Sequence, residues 1–296
     1  MPNMEHQKRL IRQYARALGA DDVRFTGAQG ALPRGKEKPA DLAALMPGAS
    51  SLIVLFFAYR PGGAAPPGHM PLSAYYTAAH FGYHAARALA ASITGLGASA
   101  AHLPSLPARA AALRTGGFIG DNGFYYHPAL GSLTSIQTIL TDAALPPDDP
   151  QAGGACLHCG KCARACPSGA VERVENCLRF HVNGLVPENL RGDVYQLFGC
   201  EKCQTACPLN RTEAGESQSF PVDALLSGGA LPGVRLLTGP NMARWMRVAS
   251  QAALFAANTG RRQLIPLLNQ LAQSGGSPAA THAAWALRRL DNEVSP

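Results

Sequence analysis

The stretch Ala155–Pro167, ACLHCGKCARACP, decides how the chain is read. It spaces four cysteines as Cys156-x2-Cys159-x2-Cys162-x3-Cys166-Pro167. Downstream come Cys177 and then Cys200-x2-Cys203-x3-Cys207-Pro208, and these eight are all the cysteines the chain has. Four thiolates hold one 4Fe–4S cluster, and in runs of the first kind the fourth cysteine ligates a second cluster. Two clusters therefore use all eight thiolates. The expected division is Cys156, Cys159, Cys162 and Cys207 on one, and Cys166, Cys177, Cys200 and Cys203 on the other. Paired zinc sites and a disulfide framework are the competing readings. Disulfide scaffolds belong to short, cysteine-dense secreted chains, unlike eight cysteines in 296 residues. Zinc sites rarely use the first run. The spacing predicts a one-electron protein.

At 296 residues the chain is too long for a bare cluster carrier, and its 47% hydrophobic content supports a substantial core. The formal charge of +7 counts the cysteines as neutral; ligated thiolates and two clusters would bring it to about +3. Residues 1–20 carry charge throughout and lack the apolar centre of an export signal. The apolar run Ser51–Tyr59 is far shorter than the ~20 residues of a membrane helix. No membrane association and a cytoplasmic location are expected.

Periodicity predicts a helix over 5–18, a short strand at 23–26, a polar loop at 34–39, and a buried strand at 51–57. It continues with an irregular Pro/Gly stretch at 61–71, a helix over 73–95, a helix near 103–113, and strands near 124–126 and 135–141. PPDDP at 146–150 marks a boundary. Beyond Pro208, residues 215–233 read as loop-rich. Residues 241–259, 263–273 and 279–290 read as helices, whose alanines allow close packing of HEAT-like hairpins or of a plain helical cap.

Several motifs together resemble the epoxyqueuosine reductase family, relatives of the reductive dehalogenases. Leu45-Met46-Pro47-Gly48-Ala49 is similar to its LLPG segment, and Gly117–Asn122 (GFIGDN) to its G-[WF]-x-G-K-[NH] loop. Ala129–Ser132, Ile139–Asp142 and Leu145-Pro146 resemble its AGS…LLTD…LP stretch. Cys200–Arg211 resembles its second cluster motif, and Thr281–Leu290 its terminal repeat helix.

The resemblance implies an α+β chain in three parts. These are a nitroreductase-like α/β domain binding cobalamin and substrate (1–150), a double-4Fe–4S ferredoxin-like domain (151–214) and HEAT-like helices (215–296). It implies cobalamin-dependent reduction of epoxyqueuosine to queuosine in tRNA, or a related reduction. Electrons would come from a ferredoxin or flavodoxin, and the tRNA anticodon stem-loop would bind the arginine-rich C-terminal part. Gly117, Phe118, Ile119, Gly120, Asn122, Gly131 and Ser132 would lie against the corrin.

The departures are informative. The family's D-Y-H triplet reads Gly82-Tyr83-His84, its loop lysine is Asp121, and its proton-donating aspartate falls at Ala101, beside His102. His102 is therefore the candidate catalytic acid, with Tyr125, Tyr126 and His127 as further candidates. The alternative function is an auxiliary electron-transfer protein that kept the fold and lost the acid.

Overall fold

The computed structural model describes residues 4–34, 37–210 and 213–292. It divides into two compact units. The first comprises Met1–Tyr59, Ala78–His158 and Leu209–Arg211; the second comprises Arg60–Thr77, Cys159–Pro208 and Thr212–Pro296. None of the described helices is long and apolar enough to cross a membrane.

The first unit is built on a four-stranded antiparallel sheet in the order Asp22–Gly27, Ser51–Ala58, Thr134–Thr141, Ala100–His102. Strand side chains alternate between faces, and Ser51–Ala58 buries both of its own. Ile53, Leu55 and Phe57 join Val23, Phe25 and Ile139 against Ile11 and Ala15 of helix Met4–Ala17 and Ala86, Leu89 and Ile93 of helix Ala74–Gly95. Leu52, Val54 and Phe56 face the other way, onto Leu32, Leu42, Leu106, Ala111, Ala112 and Tyr125. Cover on both sides explains why this strand reads as one unbroken apolar run.

Three expectations about this unit change. Of the loop expected at 34–39, residue 34 and residues 37–39 lie in paired antiparallel strands, Ala31–Arg34 and Glu37–Asp41, and residues 35 and 36 lie outside the described residues. Of the helix expected at 103–113, only Ala108–Leu113 forms. Ala100–His102, which has no strand signal of its own, is a strand because it borrows the edge of Thr134–Thr141.

The second unit centres on helix Trp245–Asn258, in which every residue from Val248 to Ala257 is buried. Helices Val222–Ser227 and Pro278–Asn292 pack on it, and Ile265–Gln273 packs on the latter. The stretch 215–233 is not mainly loop: it holds helices Val222–Ser227 and Leu231–Thr238. Its prolines and glycines mark helix ends rather than breaks. Pro221 is the N-cap of one helix, Gly228 (φ 90°) closes it, and Pro232 sits in the first turn of the next.

The cysteine-bearing segment has little regular structure. It contains the helices Lys161–Ala165 and Lys202–Thr205 and 3-10 turns at Val174–Asn176, Leu178–His181 and Glu188–Asp193. Its backbone groups are met by side chains from the two longest helices of the unit. Gln251 accepts from the Phe198 amide at 2.8 Å and donates to Val182 O. Asn258 donates to Arg191 O and Val194 O. His282 Nε2 accepts from the Val186 amide at 3.0 Å. Phe198 takes a left-handed φ of 65° two residues before Cys200, and its buried ring lies 5.4 Å from that of Tyr76.

Candidate functional site

Within the second unit the thiols converge on Cys203. Burial raises the Cys203 pKa, and the neighbouring Cys200, Cys177, Cys166 and Cys162 push it further, to about 12. Those neighbours include the three partners expected for it from spacing. Burial also raises Cys200. Cys166 goes the other way: burial would raise it, but hydrogen bonds from Ser168 and from the Ala170 and Val171 amides outweigh that. The Ala170 N–H lies 3.2 Å from its sulfur. Thiols crowded this closely resist ionisation together, and a cationic iron cluster removes that resistance. The donor set thus fits a thiolate-bound cluster. Cys159, the first cysteine of this unit, is exposed; Cys156 falls in the first unit.

In the first unit, the loop expected to meet a cofactor forms a small hairpin, Phe118–Ile119 with Tyr125–Tyr126. The Phe118 and Tyr126 rings stack at 5.0 Å and 3°. Three of its glycines are accounted for by the chain itself. A Cβ on Gly117 (φ 78°) would lie 2.3 Å from Tyr126 O, one on Gly120 would lie 2.6 Å from the Tyr126 ring, and one on Gly131 (φ 69°) would lie 2.3 Å from Asn210 Oδ1. Asn210 also accepts from the Ser132 amide at 2.7 Å. Asn122 Nδ2 donates to Tyr126 OH. By contrast, Gly123 (φ 73°) has nothing within 4 Å of its Cβ position, and Ile119 is 41% exposed.

His127 has a structural role. It is buried, its Nδ1 accepts from the Ala129 and Leu130 amides, and its Nε2 therefore donates to Asp22 at 3.0 Å. Burial would raise the Asp22 pKa, but this bond, the Val23 amide and the nearby His127 and Arg24 charges together hold it below the usual value. Tyr125 donates to Gly116 O, and burial pushes its pKa up to about 12.

Ala101 and His102 lie side by side on the edge strand, opposite Leu140 and Ile139 respectively. Adjacent strand residues point to opposite faces, so His102 does not stand where a side chain at 101 would. His102 Nε2 meets Gln137 Oε1 at 2.9 Å, and the Tyr83 ring lies 5.0 Å away. Gln137 donates through Nε2 to Ser135 Oγ at 3.2 Å and to Ala79 O. Its Oε1 is thus an acceptor, the His102 proton sits on Nε2, and the buried Nδ1 is left without a hydrogen bond. Burial pulls the His102 pKa below 6.5, with the Gln137 bond opposing and Arg87 assisting. Gly82 makes this arrangement possible. A Cβ there would lie 2.8 Å from the Phe57 ring and 3.2 Å from Gln137 Cγ. The sequence marks Gly82 only as a departure from the resembled triplet and gives no sign of Gln137, because their relation is made by the fold.

In the C-terminal helices, Arg262 caps Leu290 O and Arg247 bonds Asn241 O and Met242. Trp245 donates to Leu226 O, and the Arg289 guanidinium lies 5.5 Å from the centre of the Trp285 ring. Arg244, Arg262, Arg288 and Arg289 are exposed.

No protein-family model matches the chain. The chain is similar to the epoxyqueuosine reductase of Staphylococcus aureus, with 36% identity over 112 residues, or 35% of this chain and 29% of that protein. It is similar to the Bacillus subtilis epoxyqueuosine reductase at 35% identity over the same length. The sequence match thus spans less than a third of either relative. Its fold matches a crystal structure of epoxyqueuosine reductase with an epoxyqueuosine-modified tRNA stem loop. That match has a TM-score of 0.81 and 22% identity, covering 97% of this chain and 91% of that one.

Proposed function

We propose that this chain is an iron–sulfur, cobalamin-dependent reductase that converts epoxyqueuosine in tRNA to queuosine, or carries out a closely related reduction, in the cytoplasm. The observation that carries this reading is the convergence of thiols on Cys203 inside a mixed helix–strand fold shared with an epoxyqueuosine reductase over 97% of the chain. The organisation proposed is a cofactor- and substrate-binding part at 1–150, a ferredoxin-like part at 151–214 and HEAT-like helices at 215–296.

Removing an epoxide oxygen takes two electrons and two protons and releases water. Cys156, Cys159, Cys162 and Cys207 would hold one 4Fe–4S cluster, and Cys166, Cys177, Cys200 and Cys203 the other. Electrons would arrive singly from a ferredoxin or flavodoxin. Bound cobalamin supplies a strongly nucleophilic low-valent metal, and the protein supplies binding, electron access and protons. The hairpin fits a flat apolar macrocycle through its exposed Ile119, its stacked Phe118 and the open backbone at Gly123. Gly117, Gly120 and Gly131 would serve by shaping that hairpin, with Asn122 and Ser132 fixing its ends. His102 would accept a proton at Nδ1 and deliver it. Its lowered pKa makes the charged form a strong acid that is scarce at neutral pH. The exposed arginines 244, 262, 288 and 289 would meet the phosphates of the anticodon stem-loop.

The test is anaerobic turnover with cobalamin and a chemical reductant, read as queuosine by mass spectrometry of tRNA. We expect weak activity that rises as pH falls below neutrality and drops roughly 10-fold or more in His102→Ala. Queuosine formation unaffected by His102→Ala removes that residue from the reaction. Corrinoid binding with no turnover in wild type or Ala101→Asp moves the reading to another substrate.

A further inference from the structure

The first unit brings together three donors of different chemistry. The Asp121 carboxylate, the Cys156 thiol and a His158 ring nitrogen all lie within 4.8 Å of one another. His158 Nδ1 is 2.9 Å from Asp121 Oδ1 and 3.2 Å from Oδ2. Both side chains are exposed, and exposed pairs of this kind contribute little to stability. Yet His158 adopts a left-handed φ of 46°, one of only two non-glycine residues to do so among the described residues. Such backbone is strained and persists only where something compensates for it. The ring reaches Asp121 from that strained position, inside the first Cys-x2-Cys run. Position 121 also has the sign opposite to the lysine of the loop it resembles.

We propose that Asp121, held in place by His158, lowers the reduction potential of the cluster that Cys156 ligates. This rests on the reading of Cys156 as a cluster ligand given above. Reducing a cluster adds one negative charge, and a carboxylate within 4.8 Å of a ligating sulfur opposes that charge. Cluster potentials follow local net charge, hydrogen bonding and exposure. Asp121 contributes its charge here, and His158 is a positioning residue.

The experiment is an EPR-monitored redox titration of the anaerobically purified holoprotein, with iron content measured first. Asp121→Asn should raise the midpoint potential of one cluster and leave the other unmoved. Asp121→Lys, which changes the local charge by twice as much, should raise the same cluster further. His158→Asn tolerates the left-handed backbone but lacks the ring; it should move that cluster in the same direction by less. Unchanged potentials, or equal shifts of both clusters, overturn the proposal. Loss of one cluster's iron in Asp121→Asn also overturns it, because Asp121 is then a ligand or a structural group. A wild-type chain holding fewer than two clusters sinks the underlying reading instead, and is seen in the iron assay before any potential is measured.

Discussion

The sheet of the first unit and the cysteine segment of the second solve the same problem by different means. Ser51–Ala58 has neighbours on both edges and apolar cover on both faces, so its backbone and its core are satisfied by local, repetitive rules. The stretch from Cys159 to Pro208 has only two helices of four and five residues besides its 3-10 turns. It relies on Gln251, Asn258 and His282 for hydrogen bonds and on its thiols for whatever they bind. The sheet tolerates damage in proportion to the area lost, whereas the cysteine segment depends on a few side chains, each of which matters a great deal.

The sharpest break between the two regions should come from paired substitutions. Cys203→Ser is expected to lose about four irons per chain and to aggregate, because metal binding and folding are coupled. Leu140→Ala in the sheet is expected to cost about 2–5 kcal/mol while iron content stays intact. Iron analysis beside thermal unfolding of both variants checks this, and an intact, soluble Cys203→Ser protein with full iron would erase the contrast.

Acid should separate the regions next. His282 is fully buried, with Nε2 accepting from Val186 and Nδ1 donating to Ser250 Oγ at 2.6 Å. Burial drives its pKa down to about 4, with Arg191 adding to the effect. Above pH 6.5 the group is neutral folded and unfolded and has no effect on stability. As pH falls from 6.5 towards 4, the unfolded chain takes up a proton that the folded chain refuses, and stability drops. The full loss is about 3 kcal/mol. Both tryptophans, Trp245 and Trp285, lie in the same unit as His282. Their fluorescence in a denaturant series at several pH values therefore reads this effect. Equal stability at pH 7 and pH 5 would contradict it.

Substitutions in the first unit should be milder. Gly82→Asp forces the buried Phe57 ring aside and should cost about 1–3 kcal/mol in thermal unfolding without loss of iron. Smallest of all is Ile119→Asp, whose exposed side chain leaves stability within about 0.5 kcal/mol. Corrinoid affinity, followed by absorption titration, should fall clearly in that variant. Unchanged affinity moves the cofactor away from the hairpin. Gly120 is the poorer probe, since a side chain there strikes Tyr126 before it could meet a ligand.

The same contrast explains what could be read from the sequence. The run Ser51–Phe57 and the eight cysteines announce themselves, because continuous burial leaves an unbroken apolar run and the cysteines are set at short, regular spacings. The strand Ala100–His102 does not, since three residues rich in alanine owe their conformation to partners 37 to 41 residues away in the chain. Helices Val222–Ser227 and Leu231–Thr238 were hidden by prolines and glycines that cap them. The bond between His102 and Gln137, and the space Gly82 leaves for it, join three distant positions that no local pattern connects.

Gly82 also limits how this protein can change. A glycine in the middle of a 22-residue helix costs about 1 kcal/mol relative to alanine, so simple drift towards a better helix former should be favourable. Here that drift is blocked, because even the methyl group of alanine would lie 2.8 Å from Phe57. An acidic residue at position 82 must push Phe57 aside and crowd Gln137, and either shift disturbs the core or the partner of His102. Single substitutions towards the resembled Asp-Tyr-His triplet therefore lead downhill in stability before they can lead anywhere in chemistry. The order in which replacements are made in the laboratory will decide whether they are tolerated.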